Sequence, residues 1–258
     1  MFHASGNETG ALAESPRLKG GSPNPATIGG PRGATCSTFS TQQSCMSADI
    51  TQDEVAKFEA LFCGTRVVRR GETLYRAGDT FESLYTLRMG SFKTVILHRD
   101  GLEHVTGFHF TGDTLGLDGV CIDKHGCDAI ALEDSIVCIV PFHLLEMLCR
   151  EVKAIQHHVH RLLSREIVRE ANLMMQFGTM SASQRLAAFL LDLSARFAAR
   201  GYSPSEFNLR MTRDEIGSYL GMKLETVSRM FTRLQKDGII EPNGKHIRIV
   251  DLDRLSRL

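Results

Sequence analysis

The stretch from Met211 to Gly238, MTRDEIGSYLGMKLETVSRMFTRLQKDG, leaves few folds open to this chain. It reads as a helix, a tight turn and a second helix. Thr212 can N-cap the first helix, its hydroxyl accepting a free backbone N–H of the first turn. Ile216 and Leu220 stand four apart on one face, and Gly221 ends the helix where a positive φ is easy. The second helix carries Val227, Met230, Phe231 and Leu234 as an apolar stripe. Its other face opens with Glu225, Thr226, Ser228 and Arg229. Such side chains accept from a cytosine amino group, donate to guanine or bond phosphate. A polar cluster near the N-terminal end of the second helix is what reading a DNA major groove requires. The bland alternative is a helical hairpin with a solvated charged face. The turn glycine and the segment that follows weigh against it. Ile239 to Val250 reads as two short strands around Asn243-Gly244, a strong hairpin signal. A hairpin placed there makes a wing, with Lys245, His246 and Arg248 in reach of phosphate.

Formal net charge is zero over 258 residues, with 30 Lys and Arg against 30 Asp and Glu. That balance hides an asymmetry. From Ser181 to Leu258 there are 13 Lys and Arg against 9 Asp and Glu, and a local basic surface matters more to a polyanion than the total. No apolar run is long enough to span a bilayer. The first residues lack the charged start and apolar core of a signal peptide. A cytoplasmic location is expected. Seven cysteines in such a chain point to metal, redox chemistry or buried thiols rather than a disulfide scaffold.

Residues 1–34 are rich in Gly, Ser, Pro and Ala, without periodicity, and are expected to be disordered. A short helix is predicted from Asp49 to Gly64. The pattern then changes to period two. Arg66 to Tyr75 reads as strand, turn, strand. Leu84 to Leu97 reads as a hairpin about Met89-Gly90. Arg99-Asp100-Gly101 is a further turn, Glu103 to Phe110 a strand, and Ala129 to Val140 a last long strand region. Short strands with Gly-Asp turns at regular spacing predict an antiparallel barrel or jelly roll. After Pro141 a single long helix is predicted, roughly Phe142 to Phe177. Val152, Ile155, Val159, Leu162, Leu163 and Ile167 recur along it at three- and four-residue steps, a spacing that suits a seam between two subunits. Packing on its own barrel is the plainer alternative. The chain is thus α+β, in four parts: the tail 1–34, a cysteine-bearing segment and jelly-roll sensor domain 35–141, a dimerisation helix 142–177, and a winged helix-turn-helix 178–258.

Jelly roll, long helix and winged helix-turn-helix is the order found in the CRP/FNR regulators. The sequence resembles that family from about Ala48 to Leu258, and within it the oxygen-responsive FNR branch. The residues that carry the likeness are Tyr75-Arg76-Ala77-Gly78-Asp79, Thr106-Gly107-Phe108-His109, Gly112-Asp113, Gln184 to Phe189, and Glu225-Thr226-Val227-Ser228-Arg229. The last string is similar to an FNR-type recognition helix. The resemblance implies that Glu225, Ser228 and Arg229 read a TTGAT half-site. It implies a homodimer on a TTGAT-N4-ATCAA-like palindrome, with Thr226, Thr212 and Lys245 assisting DNA binding and RNA polymerase as a further partner. Val159, Leu163, Ile167 and Glu170 would form the dimer seam.

The resemblance also frames the sensor. Cyclic-nucleotide-binding relatives present an Arg to the cyclic phosphate. The matching stretch here is Lys124-His125-Gly126-Cys127-Asp128, without Arg and with an acid that would repel an anion. Cyclic AMP is not expected. FNR-like relatives hold a 4Fe–4S cluster on three N-terminal cysteines and one from the barrel, thiolates being the donors that suit it. Cys36 and Cys45 match the outer two of the three, and Cys138 the barrel ligand. The middle position is Phe39, which cannot ligate. A fourth donor would come from Cys63, Cys127, Cys121 or an oxygen ligand. Without a cluster, the chain would act constitutively or through a Cys36–Cys45 thiol–disulfide switch. His157, His158 and His160 are read as a solvated face, although His157 and His160 are spaced to clip a metal. A different class, a cupin-like metal enzyme, would have to use His98, Glu103, His104 and His109. Strand alternation sets His104 on the face opposite Glu103 and His109, and the usual His-x-His pair is absent. An enzyme is not expected.

Overall fold

The computed structural model describes Lys57, residues 64–98 and residues 101–258. The expectations for residues 1–34 and for Cys36, Phe39, Cys45 and Cys63 lie outside the described residues. So does most of the predicted Asp49 to Gly64 helix, of which Lys57 is helical and Gly64 opens the first strand.

Eight strands build two four-stranded antiparallel sheets: β1 Gly64–Val68, β2 Thr73–Tyr75, β3 Ser83–Met89, β4 Ser91–Leu97, β5 Glu103–Phe110, β6 Thr114–Leu115, β7 Asp128–Ala131 and β8 Ser135–Pro141. One sheet runs β1-β8-β3-β6 and the other β2-β7-β4-β5. Val68, Leu74, Leu87, Phe92, Leu115 and Val137 pack together in the barrel core. A short 3-10 helix, Leu117–Cys121, bridges β6 and β7. This is the expected jelly roll, with a different strand pairing.

Only β4 and β5 form the hairpin that the period-two pattern suggests. Met89-Gly90 is not a hairpin turn. β3 pairs with β8 and β6, whereas β4 pairs with β5 and β7, so Gly90 is a corner where the chain passes from one sheet to the other. Gly90 has φ 99, and a Cβ there would stand 2.1 Å from Ser135 Oγ. The segments flanking Gly71 and the Ala129 to Val140 region divide in the same way between the sheets. Alternation marks a strand by its faces, but does not say which neighbour completes its ladder.

The predicted long helix is two helices. α1, Phe142–Glu151, ends at Val152, whose backbone is extended at φ −122 and ψ 99. α2, Lys153–Thr179, follows. The break lets Leu145 and Leu148 of α1, Val152 itself and Ile155 of α2 enter one cluster with Phe81 and Leu84 of the barrel. The N-terminal part of the expected seam is thus buried within its own protomer. Further along, Ile167 is 69% exposed, and Val168, Met174 and Met175 are exposed with it.

The C-terminal part comprises α3 Ala182–Ala198, β9 Glu206–Asn208, α4 Arg213–Leu220, α5 Leu224–Lys236, β10 Ile240–Asn243, β11 His246–Ile249 and α6 Leu252–Ser256. The strands form a sheet in the order β10-β11-β9. Leu186, Leu190, Ile216, Leu220, Val227, Phe231 and Ile247 make its core, which continues into Val95, Val105, Phe108 and Phe110 of the barrel.

Candidate nucleic-acid interface

The first helix of the pair is closed at both ends by local chemistry. Thr212 Oγ1 accepts from Glu215 N–H at 3.1 Å, and Glu215 Oε2 accepts from Thr212 N–H at 2.6 Å, a complete capping box. The hydroxyl of Thr212 is therefore a cap first, and keeps its own proton to donate. At the other end Gly221 takes φ 61, and Arg185 Nη1 donates to Leu220 O at 2.8 Å. Gly217 lets the turn fold back on the helix: a Cβ there would meet Met222 O at 2.6 Å. Neither Arg185 nor Gly217 stands out in the sequence as part of the motif, because their partners lie across the turn or on another helix.

α5 buries Val227, Phe231 and Leu234. Glu225 and Arg229 are exposed, and Thr226 and Ser228 are half-buried beside them. Arg229 Nη2 donates to Thr226 Oγ1 at 3.3 Å. One turn on, a shallow groove is lined by Ser228, Arg229, Thr232, Arg233, Lys236 and Asp237. Glu225, Thr226, Ser228 and Arg229 are thus brought to one accessible helix surface, as the sequence pattern implies.

The wing differs in detail from the sequence reading. Asn243 pairs with His246, so the two-residue turn is Gly244-Lys245, and Lys245 is exposed at its tip. Arg248 is exposed on the wing but is shared between two carboxylates. Its Nε lies 3.4 Å from Glu206 Oε1 and its Nη1 3.2 Å from Glu241 Oε2, across the three strands of the sheet.

In the barrel, the Lys124 to Asp128 stretch gathers around His125 and Asp118. His125 is buried and stacks on Tyr75 at 3.7 Å between ring centroids. Asp118 gathers the groups around it: Gly126 N–H donates to its Oδ2 at 2.7 Å, and Cys127 Sγ and Tyr75 OH approach at 3.5 Å. Burial, with Asp118 adding to it, pushes the Cys127 thiol far up, so it stays protonated and is a poor thiolate donor. Burial and Glu146 also raise the Cys149 thiol. Cys121 is exposed on the 3-10 helix. Cys138 is buried on β8, opposite Thr65 of β1 and Thr86 of β3. Among the described residues no three His, Cys, Asp or Glu side chains stand close enough to hold a metal ion. Any further donors for a cluster on Cys138 would lie outside the described residues. Of the histidines expected on a solvated face, His157 and His160 are exposed, whereas His158 is buried on the side of α2 that carries Ile155. His109 is buried with Nε2 3.3 Å from Thr94 Oγ1, and burial with nearby Arg169 holds it neutral, pushed down to about 3.

A polar set that the sequence did not reveal ties the barrel to the C-terminal part. Asp113, in the turn after β5, takes Arg196 Nη2 at 2.5 Å and Arg200 Nη2 at 2.6 Å. Glu133 pairs with Arg210 at 3.1 Å, and Lys93 with Glu215 at 2.9 Å. Burial alone would raise the Asp113 carboxyl, but Arg196 and Arg200 hold it below the usual carboxylate range. A depressed folded value means stability that is present above the unfolded pKa and lost as pH falls through the folded one. Asp113→Asn is expected to cost about 1–3 kcal/mol near neutral pH. It should also flatten the acid limb below about pH 4. Thermal midpoints of both proteins across that range check this. Parallel curves for the two would refute the assignment.

The comparisons agree with this geometry. Residues 184–258 match the Crp-like helix-turn-helix domain, and residues 65–152 the cyclic nucleotide-binding domain. The transcriptional regulatory protein btr of Bordetella pertussis is 42% identical over 228 residues, covering 88% of this chain and 94% of that protein. The fumarate and nitrate reduction regulatory protein of Escherichia coli is 38% identical over 223 residues, covering 86% and 89%. The solved structure of FixK2 from Bradyrhizobium japonicum superposes with a TM-score of 0.70 at 28% identity, covering 76% of this chain and 96% of that one.

Proposed function

Because the chain belongs to the CRP/FNR family of transcriptional regulators, whose members are regulators rather than enzymes, we propose that it is a homodimeric, FNR-type reader of TTGAT-N4-ATCAA-like palindromes under oxygen or redox control. The observation that carries the reading is the exposed polar surface of Glu225, Thr226, Ser228 and Arg229 on α5, set above a capped, glycine-turned first helix. Two-fold symmetry would present two such helices to half-sites about one helical turn apart. Thr212 and Lys245 would donate to phosphate. RNA polymerase would be the second macromolecular partner, in the cytoplasm; no described helix is long and apolar enough to cross a membrane. The test is gel retention of the palindrome against a scrambled duplex of equal length, across a salt series. Equal affinity for both would discard the reading.

The proposed sensor is Cys36, Cys45 and Cys138. An iron–sulfur group bound there supplies oxygen lability, its stability set by the thiolates that hold it. Anaerobic reconstitution should give a visible absorbance with matching iron and sulfide. Cys36→Ser and Cys45→Ser should each lower the iron content, and Phe39→Cys should raise the stability of the cluster by restoring a thiolate. Iron-free protein with the same DNA affinity in and out of air would favour the cluster-free alternative. The Lys124 to Asp128 stretch, without an Arg and with Asp128, supports the expectation that cyclic AMP is not the signal.

Dimerisation is proposed through α2, with the exposed Ile167 and the half-buried Leu163 and Val159 as apolar contacts, Val159 also packing on its own protomer, and Glu170 as the acidic member. Across a two-fold axis Glu170 would approach its own copy, and like charges repel. Glu170→Ala should strengthen the aerobic dimer. Sedimentation of both proteins in air decides it; equal monomer fractions would sink the idea.

A further inference from the structure

Among the described residues β5 is the outer strand of its sheet, so its outward backbone groups face no neighbouring strand. One side chain of α4 occupies that edge. Val105 N–H donates to Ser218 Oγ at 2.9 Å, and the same hydroxyl donates to Glu103 O at 3.5 Å. Three positions back on the helix, Glu215 Oε1 lies 2.9 Å from Lys93 Nζ on β4. Its other oxygen takes Thr212 N–H in the capping box. Tyr219 packs on Phe108 of β5 with ring centroids 5.2 Å apart. Glu215, Ser218 and Tyr219 are at i, i+3 and i+4, one face of the helix. Ile216 and Leu220 lie on the adjoining face, in the core that also holds α5. The first helix of the motif therefore has two engaged faces, one on the sensor barrel and one under the recognition helix.

We propose that Lys93, Glu215 and Ser218 are positioning residues for DNA reading, through which the barrel sets the orientation of α5. This rests on the DNA reading proposed above. None of the three needs to touch DNA. A carboxylate shared between the helix cap and a barrel lysine links the sensor sheet to the N-terminus of α4. A serine that completes a sheet edge fixes the helix along its length. Loosening either leaves the reading residues intact but lets them sample more orientations, which lowers specific binding more than non-specific binding.

Two measurements on the full-length protein test the proposal. Amide exchange without DNA reads the docking directly: the Val105 N–H should be protected in the wild type and should exchange faster in Ser218→Ala. Retention of the palindromic duplex reads the positioning. Lys93→Met should bind it about 3- to 10-fold more weakly, as expected for loss of a partly buried pair. Its affinity for scrambled duplex should be unchanged, and Lys93→Arg should restore specific binding. The salt dependence of Lys93→Met should match the wild type. A slope lowered by about 0.9 would mean that Lys93 contacts phosphate itself, and would overturn the positioning role. Tighter specific binding by Lys93→Met, or wild-type affinity in both Lys93→Met and Ser218→Ala, would overturn it as well. A Val105 amide that exchanges equally in wild type and Ser218→Ala would overturn the docking. A wild type that does not select the palindrome would remove the DNA reading and the positioning role with it. The exchange data would still report the docked helix, so the two failures are distinguishable.

Discussion

Arg229→Ala is expected to bind the palindromic duplex about 10- to 100-fold more weakly than the wild type, the equivalent of about 1–3 kcal/mol for a bidentate base contact. Arg229 projects from the first turns of α5 on its exposed face, with Thr226 Oγ1 as its neighbour at 3.3 Å. A guanidinium so placed can present two parallel donors to a guanine edge, and its loss should relax preference at one base pair of each half-site. The scrambled duplex should be affected far less. Lys245→Ala is the contrast. Lys245 sits exposed at the tip of the wing turn. Its removal should weaken both duplexes alike and lower the salt slope by about 0.9 for each phosphate released. If Arg229→Ala keeps the wild-type ratio of specific to scrambled affinity, Arg229 does not read a base.

Gly90→Ala is expected to destabilise the barrel by about 2–4 kcal/mol, combining a positive-φ penalty near 1 kcal/mol with the strain of overpacking. The new Cβ would fall 2.1 Å from Ser135 Oγ and 2.8 Å from Ser135 Cα. Ser135 cannot step aside freely. Its hydroxyl donates to Glu133 O at 2.7 Å and accepts from Ser91 N–H at 3.3 Å, both next to the corner. Thermal unfolding at fixed protein concentration should show a clearly lower midpoint. Gly90→Ala in a Ser135→Gly background should recover part of the loss, since the nearest atoms are gone while the backbone contact and the φ remain. An unchanged midpoint in the single variant would mean that the corner is not held as described.

What could be read along the chain was decided by interactions that reach only a few residues. The Thr212 cap, the Gly221 stop and the apolar stripe of α5 are local, and each lies where the pattern puts it. The same holds for Glu225, Thr226, Ser228 and Arg229, because a helical period alone brings them to one face. Strand positions were legible for a similar reason. Strand partners were not: a two-residue period is the same whether Met89-Gly90 turns a hairpin or carries the chain between sheets. The break at Val152 was also hidden, since an unbroken three-and-four spacing through Val152 and Ile155 serves a straight helix and a bent one equally well. It took the barrel, with Phe81 and Leu84, to draw both halves into one cluster.

The charges divide along the same line. In sequence, Arg248 is one more cation on a wing; in the fold, Glu206 and Glu241 claim it. Asp113 and Arg196 are 83 residues apart, and Val105 and Ser218 are 113 apart. No period or motif connects such pairs, because a contact at that separation exists only once the intervening chain has been fixed. The sequence by itself determined the family, the order of the modules and the polar helix face proposed to meet DNA, all written in short-range rules. Only the tertiary structure decided which sheet each strand joins, which cations are paired with carboxylates, and that the first helix of the motif rests on the edge of the barrel.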